Sequence, residues 1–338
     1  MISPQSVTRL LAAGTAFAAL LAAAACGGGS GKEVTAIRVT VTNATEPYVI
    51  PWLAAQEQGF FEAKGVEVED IIAGKGGSTT LRNLVGGKLA IGEVALPAVI
   101  EGKLAGAKVT AVAGATQGVA GLDWYASKTG PVKQVKDAKK WAFSNPGSVT
   151  ESLAALLPEE AGLPKGSVTP VGAGGIGEGI AMLESGAVDL ATVSPSVLAR
   201  DASKFRRVLT TSTVFPKFQQ TVLTVRDQYL KERPDVVKAV IAGYQQGVTW
   251  VKEHPAEAAE LYAGHIGVEP EAARRIVDEA IAGDHWSAGL SGEALDTAVR
   301  AMKATGFTGK VPCGLFELSR VPPGLPRELP GSCPGGGK

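Results

Sequence analysis

The side chains that enzymes most often use for catalysis are few in this sequence, and they do not form a known catalytic pattern. The histidines and cysteines are His254, His265, His285, Cys26, Cys313 and Cys333. The patterns His-Glu-x-x-His, Gly-x-Ser-x-Gly and Ser-x-x-Lys, which place a metal ligand or a nucleophile beside a base, do not occur. We therefore predict that the protein is not an enzyme and that it holds no metal or cofactor.

One glycine pattern formally matches the fingerprint of dinucleotide binding. Gly172, Gly174 and Gly177 have the required spacing, and they follow a predicted strand and precede a predicted helix. The acid that should end the next strand beside a ribose, Asp189, instead begins that strand. We therefore exclude a nicotinamide cofactor.

Two predicted helix starts could bind a small polar ligand through their free N–H groups. Residues 76–79 begin a helix without an acid in its first turn, and glycine there lets a ligand approach closely. Residues 147–150 begin another helix, where Ser148 and Glu151 have the spacing of a capping box. A capping role for Ser148 is therefore an open alternative to ligand binding.

Polar and aromatic residues also follow the predicted strands, at the edge where α/β sheets bind ligands. Tyr48 or Trp52 could stack on a ring or belong to the core. Glu46 and Glu93 indicate a ligand with hydrogen-bond donors or positive charge, unless Arg82 neutralises one of them. The predicted ligand contacts are Asn43, Glu46, Tyr48, Trp52, Gly77, Ser78, Thr79, Glu93, Leu96, Gln117, Ser148, Val149, Thr150, Ser194 and Phe215.

Alternating strand and helix patterns must position these residues. Strands are predicted at residues 37–41, 66–72, 89–94, 109–113, 141–144, 168–171, 188–193 and 208–211. Helices are predicted at residues 51–59, 78–85, from 234 onward, 255–263, 269–282 and 291–305. The alternation predicts an α/β fold with mainly parallel sheets.

Two stretches of the chain resemble each other. Residues 74–77 and 172–175 are glycine-rich, and each leads into a helix and then into a strand that Pro97 or Pro195 follows. Two lobes that each aim such a loop at a shared cleft would trap a ligand. Chance similarity between two glycine-rich strand–helix–strand units is the alternative.

The N-terminus has the pattern of an export signal. In residues 1–25, Arg9 precedes an apolar stretch that is too short to span about 30 Å of hydrocarbon. Small residues before Cys26 are typical of a lipoprotein signal, which predicts lipidation of Cys26 and a flexible tether at residues 26–33. An ordinary secretory signal is the alternative. In an oxidising compartment, Cys313 and Cys333 can form a structural disulfide.

The composition narrows the class of protein further. The sequence has 338 residues, with 33 Lys+Arg against 33 Asp+Glu, so a polybasic surface for nucleic acid is excluded. An apolar fraction of 45% excludes a mostly disordered chain. A chain of this length usually forms two domains, so we expect a soluble two-domain body.

Several segments resemble one known family. These are residues 48–72, with Ala-Ala-Gln-Glu-Gln-Gly-Phe-Phe at 54–61 and Gly-Val-Glu-Val at 65–68, and residues 153–163, 170–195 and 234–262. Together they resemble the solute-binding proteins of ATP-driven (ABC) importers, in the branch for nitrate, sulfonates, taurine and thiamine-precursor pyrimidines. The resemblance covers residues 34–305; Ala90 departs from it, because the family often has an aspartate there.

The resemblance implies a type II periplasmic binding protein fold with two α/β lobes joined by two crossover strands. Lobe one would be residues 34–117 plus 219–310, lobe two residues 118–218, and residues 311–338 a Pro/Gly-rich tail with the Cys313–Cys333 disulfide. The lobes would close on a solute by a hinge motion, and a membrane permease would recognise the closed form.

We therefore expect a monomeric, lipid-anchored solute-binding protein on the extracytoplasmic face of the cell membrane. It would capture a small polar organic molecule and deliver it to an ABC importer. Two alternatives stay open: an extracytoplasmic enzyme on the same fold, and a sensor that presents its ligand to a membrane receptor.

Overall fold

The computed structural model describes residues 34–335 of the chain. The predicted signal segment 1–25, the lipidation site Cys26 and the tether lie outside the described residues, as do residues 336–338.

The described part of the chain alternates strands and helices and then becomes helical. The strands are β1 Thr35–Val41, β2 Val66–Ala73, β3 Ile91–Ala95, β4 Val109–Gly114, β5 Trp124–Ser127, β6 Lys140–Phe143, β7 Thr169–Gly172, β8 Ala191–Thr192, β9 Phe205–Leu209 and β10 Thr221–Arg226. The α-helices are α1 Ile50–Glu57, α2 Gly77–Gly86, α3 Leu96–Leu104, α4 Val149–Glu160, α5 Ile176–Glu184, α6 Pro195–Asp201, α7 Thr211–Val214, α8 Asp227–Glu232, α9 Pro234–Glu253, α10 Pro255–Ile266, α11 Pro270–Ala282 and α12 Gly292–Ala304. Short 3₁₀ helices lie at Pro47–Val49, Glu62–Lys64, Val135–Asp137, Ala202–Lys204 and Cys313–Leu315.

The larger sheet has five strands in the order β2-β1-β3-β10-β4. Strand β1 runs parallel to β2 and β3, whereas β10 runs antiparallel to β3 and β4. The sheet is therefore mixed because of β10, a strand that the sequence analysis missed, as it also missed β5. Strand β10 is buried along almost its whole length, so it lacks the alternation that marks a half-exposed strand.

Two smaller sheets form a second region. Strand β5 pairs antiparallel with β8 and β9, and β6 pairs parallel with β7. The strand predicted at residues 188–193 is shorter than expected, because Asp189 and Leu190 pair with Lys140 and Ala142 of β6 before the chain joins β5. The Asp189 carboxylate also accepts the N–H groups of Lys139 and Lys140, each at 2.8 Å. This residue therefore connects the two small sheets.

Two chain segments, residues 115–123 and 210–220, connect the large sheet with the small sheets and run beside each other. The Gln220 N–H donates to the Thr116 carbonyl oxygen at 2.8 Å, and the Phe218 N–H donates to that of Gln117 at 3.0 Å. The Gln219 side chain adds a bond to the Thr116 carbonyl oxygen at 3.1 Å.

The helical end of the chain packs on the large sheet as its periodicity predicts. Helix α9 lies closely against α1 and the turn that follows it: a side chain at Gly247 would meet the Pro51 carbonyl, and one at Gly243 would meet the Phe61 ring. Trp52 lies between Phe61 and Tyr244, with ring centroids 5.8 and 5.1 Å away. The α9 and α10 helices therefore share one core with β1 and β2.

The tail is irregular, as predicted, but it packs against the body. Phe316 forms a bridge with Ala111 of β4, and residues 326–328 hydrogen-bond to both backbone groups of Leu290. The predicted disulfide joins Cys313 and Cys333, whose Cα atoms are 5.5 Å apart. No helix among residues 34–335 has the length and apolar character that a membrane crossing needs.

Candidate functional site

A cavity of about 310 Å³ lies between the two glycine loops that resemble each other in the sequence. Its volume is at the lower end of the range for small-molecule sites. The lining residues are Thr42, Asn43, Glu46, Tyr48, Gly74, Lys75, Gly76, Gly77, Leu122, Ser144, Ser148, Val149, Thr150, Gly175, Ile176, Gly177, Glu178, Gln220 and Thr221. Seven of the predicted contacts are among them: Asn43, Glu46, Tyr48, Gly77, Ser148, Val149 and Thr150.

The first glycine loop brings the start of α2 to the cavity. Gly76 has φ 115°, a conformation that favours glycine, and no side chain caps the helix there. A Cβ atom at Gly77 would lie 2.5 Å from that of Ala95 and 3.1 Å from the Gly147 carbonyl oxygen. Glycine is therefore required at both positions, and the first N–H groups of α2 keep no side-chain partner among residues 34–335.

The helix α4 starts at the same cavity, and here the capping role of Ser148 is present. The Ser148 hydroxyl accepts the Glu151 N–H at 3.1 Å, while the Glu151 carboxylate accepts the Gly147 N–H at 2.7 Å. Ser148 also lines the cavity, and its hydroxyl lies 3.0 Å from that of Thr150. Ser148 therefore lies where it caps α4 and where it could also contact a ligand in the cavity.

Asn145 joins the two glycine loops. Its Nδ2 donates to the Lys75 carbonyl oxygen at 2.6 Å and to the Gly174 carbonyl oxygen at 3.0 Å. The first acceptor belongs to the loop before α2, and the second to the loop before α5. One side chain therefore holds both loops beside the cavity.

Glu46 is a buried acid on the cavity wall. It is 2% exposed, and neither carboxyl oxygen has a hydrogen-bond partner within residues 34–335. Burial raises the pKa of Glu46 to about 8. Burial, followed by repulsion from Glu46 and Glu93, also raises the pKa of Tyr48 well above its usual range.

Glu93 lies behind the cavity wall rather than on it. Its carboxylate accepts three bonds, from Trp52 Nε1 at 2.6 Å, Thr116 Oγ1 at 2.9 Å and Thr221 Oγ1 at 2.6 Å. Burial raises the pKa of Glu93 to about 7 against the opposing effect of these three bonds. Trp52 is thus a core residue, and Glu93 is a buried acceptor. Thr221 lines the cavity and separates Glu93 from it.

The remaining predicted contacts do not line this cavity. Leu96 and Phe215 are core residues, and the guanidinium of Arg300 lies 5.9 Å from the Phe215 ring centre. Gln117 donates to the Asp284 carboxylate at 2.8 Å, and the Ser194 hydroxyl lies 3.4 Å from that of Ser196. Ser78 and Thr79 lie on α2, where the Thr79 hydroxyl accepts a bond from Arg82.

Because it donates to Thr79, the Arg82 guanidinium lies on the surface of α2 and not beside an acid. Arg82 is exposed and does not line the cavity. The neutralisation of Glu46 or Glu93 by Arg82, which the sequence left open, does not occur.

Some lining residues were absent from the predicted contacts. Gly175, Ile176, Gly177 and Glu178 come from the second glycine loop and the start of α5, where no side chain caps the helix. The resemblance between residues 74–77 and 172–175 was the signal that could have added them. Gln220 and Thr221 carried no such signal, because β10 was not predicted.

The side chains that commonly bind metal ions are not clustered in the described part of the chain. Within residues 34–335, no three His, Cys, Asp or Glu side chains are grouped so that they could hold a metal ion. The polar lining consists instead of hydroxyl, amide and carboxyl groups together with the exposed Lys75.

The architecture defines the class of protein as one with the periplasmic binding protein fold. The alkanesulfonate-binding protein SsuA from Xanthomonas axonopodis pv. citri, bound to MOPS, matches with a TM-score of 0.68 and 17% identity, covering 85% of this chain and 99% of that one. The periplasmic nitrate-binding protein NrtA from Synechocystis PCC 6803 matches with a TM-score of 0.58 and 16% identity, covering 71% and 69%. The predicted fold class is confirmed.

The particular family follows from the sequence model of the NMT1/THI5-like family, which matches residues 46–258. This is more than half of the chain, and the chain belongs to that family. Among curated proteins, no match was found. One similar structure is an enzyme: a mutant of DszB in complex with biphenyl-2-sulfinic acid, with a TM-score of 0.57 and 17% identity, covering 82% and 95%.

Proposed function

We propose that the protein is the solute-binding component of an ABC importer, anchored by lipid at Cys26 on the extracytoplasmic face of the membrane. In this proposal the large-sheet region and the small-sheet region are the two lobes, and a small polar organic molecule occupies the cavity between the glycine loops. The family, the fold and the sulfonate- and nitrate-binding proteins with that fold support the class of function.

The observation that carries the proposal is the contact of Asn145 with both glycine loops. Because its Nδ2 bonds the Lys75 and the Gly174 carbonyl oxygens, Asn145 stabilises the arrangement in which the loops enclose the cavity. A binding protein needs such a closed arrangement when its ligand is present and must be able to open it for entry and release.

Binding of solutes to the purified protein tests the proposal, with calorimetry as the readout. The panel contains sulfonates, nitrate, aromatic carboxylates, pyrimidines, riboflavin, amino acids and amines. We expect at least one selective solute that is recovered unchanged after incubation. Chemical conversion of a solute would favour the alternative that the protein is an enzyme. The similarity in fold to DszB is the reason to test this alternative.

Substitution of Asn145 sharpens this test. Each of its two hydrogen bonds contributes about 1 kcal/mol, so Asn145→Ala should weaken the affinity for the selected solute by about 30-fold. Asn145→Asp should weaken it at least as much, because a carboxylate would face two carbonyl oxygens. Asn83→Ala, on α2 and away from the cavity, is the matched control and should keep the affinity. Unchanged affinity in both Asn145 variants would contradict the role given to this residue.

The lipid anchor and the role in transport must be tested in cells. Labelled fatty acid should enter the protein in its host, and Cys26→Ser should abolish the label and release the protein from the membrane fraction. Deletion of the gene should abolish uptake of the selected solute. Normal uptake together with a lost transcriptional response to the solute would favour the sensor alternative.

A further inference from the structure

The carboxyl group of Glu46 has no partner within residues 34–335, although it is buried on the wall of the cavity. Buried polar groups are almost always hydrogen-bonded, and an unpaired buried carboxylate is especially costly. The nearby residue Gly121 does not supply the missing partner, because it has no side chain. A Cβ atom at this position would lie 3.2 Å from Glu46 Oε2. The unsatisfied group therefore indicates a partner that enters the cavity.

The charged groups around Glu46 do not neutralise it. Tyr48 and Tyr262 face its carboxyl group, and burial followed by repulsion from Glu46 raises the pKa of each further. The Tyr262 hydroxyl donates elsewhere, to the Thr45 carbonyl oxygen at 2.7 Å. Lys75 and Glu178 line the same cavity with exposed side chains of opposite charge. Apart from Lys75, the described cavity lining carries no basic side chain.

The buried acid distinguishes this cavity from one built for a simple anion. A nitrate or a plain sulfonate would place its charge in the same small volume as an unpaired carboxyl group. When Glu46 is ionised, two like charges in such a low-dielectric site repel strongly. An ammonium-type group has the opposite effect, because a charge-assisted hydrogen bond to a buried carboxylate is about twice as strong as a neutral one.

The cavity also contains a feature that suits an acceptor. The helices α2 and α5 both begin at its glycine loops, and no N-cap side chain bonds to either within residues 34–335; α2 also has no acid in its first turn, whereas α5 has Glu178 there. Free N–H groups at a helix N-terminus favour a carboxylate or another oxygen acceptor. The cavity therefore offers an acid for a cationic nitrogen and free amides for an anionic oxygen.

Resting on the proposed solute-binding function, we infer that the solute carries a protonated nitrogen that donates to Glu46. A small zwitterion with an amino group and an acid group satisfies both features of the cavity. Glu46 is then the residue that determines specificity for the amino group, and the amides of α2 receive the acid group.

The binding test uses pairs of solutes that differ only in an ammonium or a hydroxyl group. The probes are β-alanine with 3-hydroxypropionate, 2-aminoethanesulfonate with 2-hydroxyethanesulfonate, and 4-(aminomethyl)benzoate with 4-(hydroxymethyl)benzoate. At least one ammonium member should bind the purified protein at least tenfold more tightly than its hydroxyl partner. Tighter binding of every hydroxyl member, or of nitrate, overturns the inference and leaves the proposed function standing. Failure of all these probes and of the wider solute panel overturns both.

Glu46→Gln keeps the shape of the side chain and removes its charge. It should weaken binding of the ammonium probe by about 10- to 100-fold and change binding of the hydroxyl partner by less than about threefold. Glu57→Gln, exposed at the end of α1, is the matched control and should leave both affinities unchanged. Equal affinity of the wild type and Glu46→Gln for the ammonium probe would contradict the inference.

The pH dependence separates a bound cation from a bound anion. Glu46 must ionise to bind an ammonium group, so affinity should rise by up to about tenfold per pH unit from pH 6 and level off above about pH 8. Calorimetry in two buffers of different ionisation enthalpy should show release of close to one proton at pH 7, and Glu46→Gln should abolish it. Affinity that falls above pH 8 would mean that protonated Glu46 donates to an anion, and would overturn the inference.

Discussion

Glu46 and Glu93 are both buried acids near the first strands of the large sheet, but their surroundings differ in kind. Glu93 accepts three hydrogen bonds from Trp52, Thr116 and Thr221, and it is 0% exposed behind the cavity wall. Glu46 has no hydrogen-bond partner within residues 34–335, and it lies on the cavity. The pKa of Glu93 is raised to about 7 and that of Glu46 to about 8, because the three bonds offset part of the effect of burial at Glu93.

The comparison shows that two buried acids can differ in role because they differ in their hydrogen-bond partners. The three donors of Glu93 come from α1, the segment after β4 and the start of β10, so this carboxylate joins three parts of the fold. Glu46 joins nothing in the described part of the chain. We infer from this difference that Glu46 is the acid that contacts a ligand.

Removal of Glu93 should have the largest effect on stability. Glu93→Ala leaves the Trp52 N–H and the hydroxyls of Thr116 and Thr221 without their acceptor, and should reduce the free energy of unfolding by about 3–5 kcal/mol. Calorimetric unfolding at pH 7 measures the change. Glu93→Gln, which keeps one acceptor oxygen, should lose less than half as much. If Glu93→Ala were as stable as the wild type, the structural role assigned to Glu93 would be wrong.

The pH dependence of stability should reveal the unsatisfied acid. Both acids bind protons more tightly in the folded state than in the unfolded state, where the ordinary value is 4.5. Their contribution to stability is therefore complete below pH 4.5 and is lost as pH rises through about 7 for Glu93 and about 8 for Glu46.

Between pH 7 and pH 8, Glu46 should account for most of this loss, at a rate of up to about 1.4 kcal/mol per pH unit. Glu46→Gln should therefore flatten the fall of Tm over this interval and raise Tm at pH 8.5. Thermal unfolding from pH 5 to pH 8.5 compares the variant with the wild type. An identical pH profile for the two proteins would show that Glu46 is not the acid that titrates here.

The smallest effect should come from a single donor to Glu93. Trp52→Phe keeps an aromatic ring between Phe61 and Tyr244 but removes the bond at 2.6 Å, and should cost about 1 kcal/mol in unfolding free energy. It should also raise the pKa of Glu93 further, because this bond lowers it. Trp250→Phe, a partly buried ring stacked on His254, is the control and should cost less. A cost equal to that of the control would indicate that the bond to Glu93 contributes little.

The glycine loops were the most informative part of the sequence for the candidate site. Residues 74–77 and 172–175 predicted two loops facing one cleft, and the cavity is lined from both repeated segments. Prolines after each repeat, Pro97 and Pro195, lie at the starts of α3 and α6, two helices that the sequence analysis did not predict. Each of the two repeated units therefore includes one more helix, α3 or α6, than the glycine pattern indicated. Each predicted ligand contact is still a prediction.

The sequence by itself determined the local features of this protein. Periodicity and glycine positions depend on neighbouring residues, so the alternation of strands and helices, the helical end of the chain and the glycine loops were readable in advance. Capping of α4 by Ser148 and Glu151 is equally local. The resemblance to the family that binds nitrate, sulfonates, taurine and thiamine-precursor pyrimidines was likewise readable from the sequence, and the NMT1/THI5-like family model that matches residues 46–258 confirms it.

The tertiary structure alone decided which groups surround the two acids. Glu93 meets donors that are 23 to 128 residues away in the chain, and no local pattern marks Thr116 or Thr221 as its partners. Strand β10, which brings Thr221 to both Glu93 and the cavity, is buried among other strands and lacks a readable period. Burial and the pairing of distant groups set the partners and the pKa of a carboxyl group, and both arise only when the chain is folded.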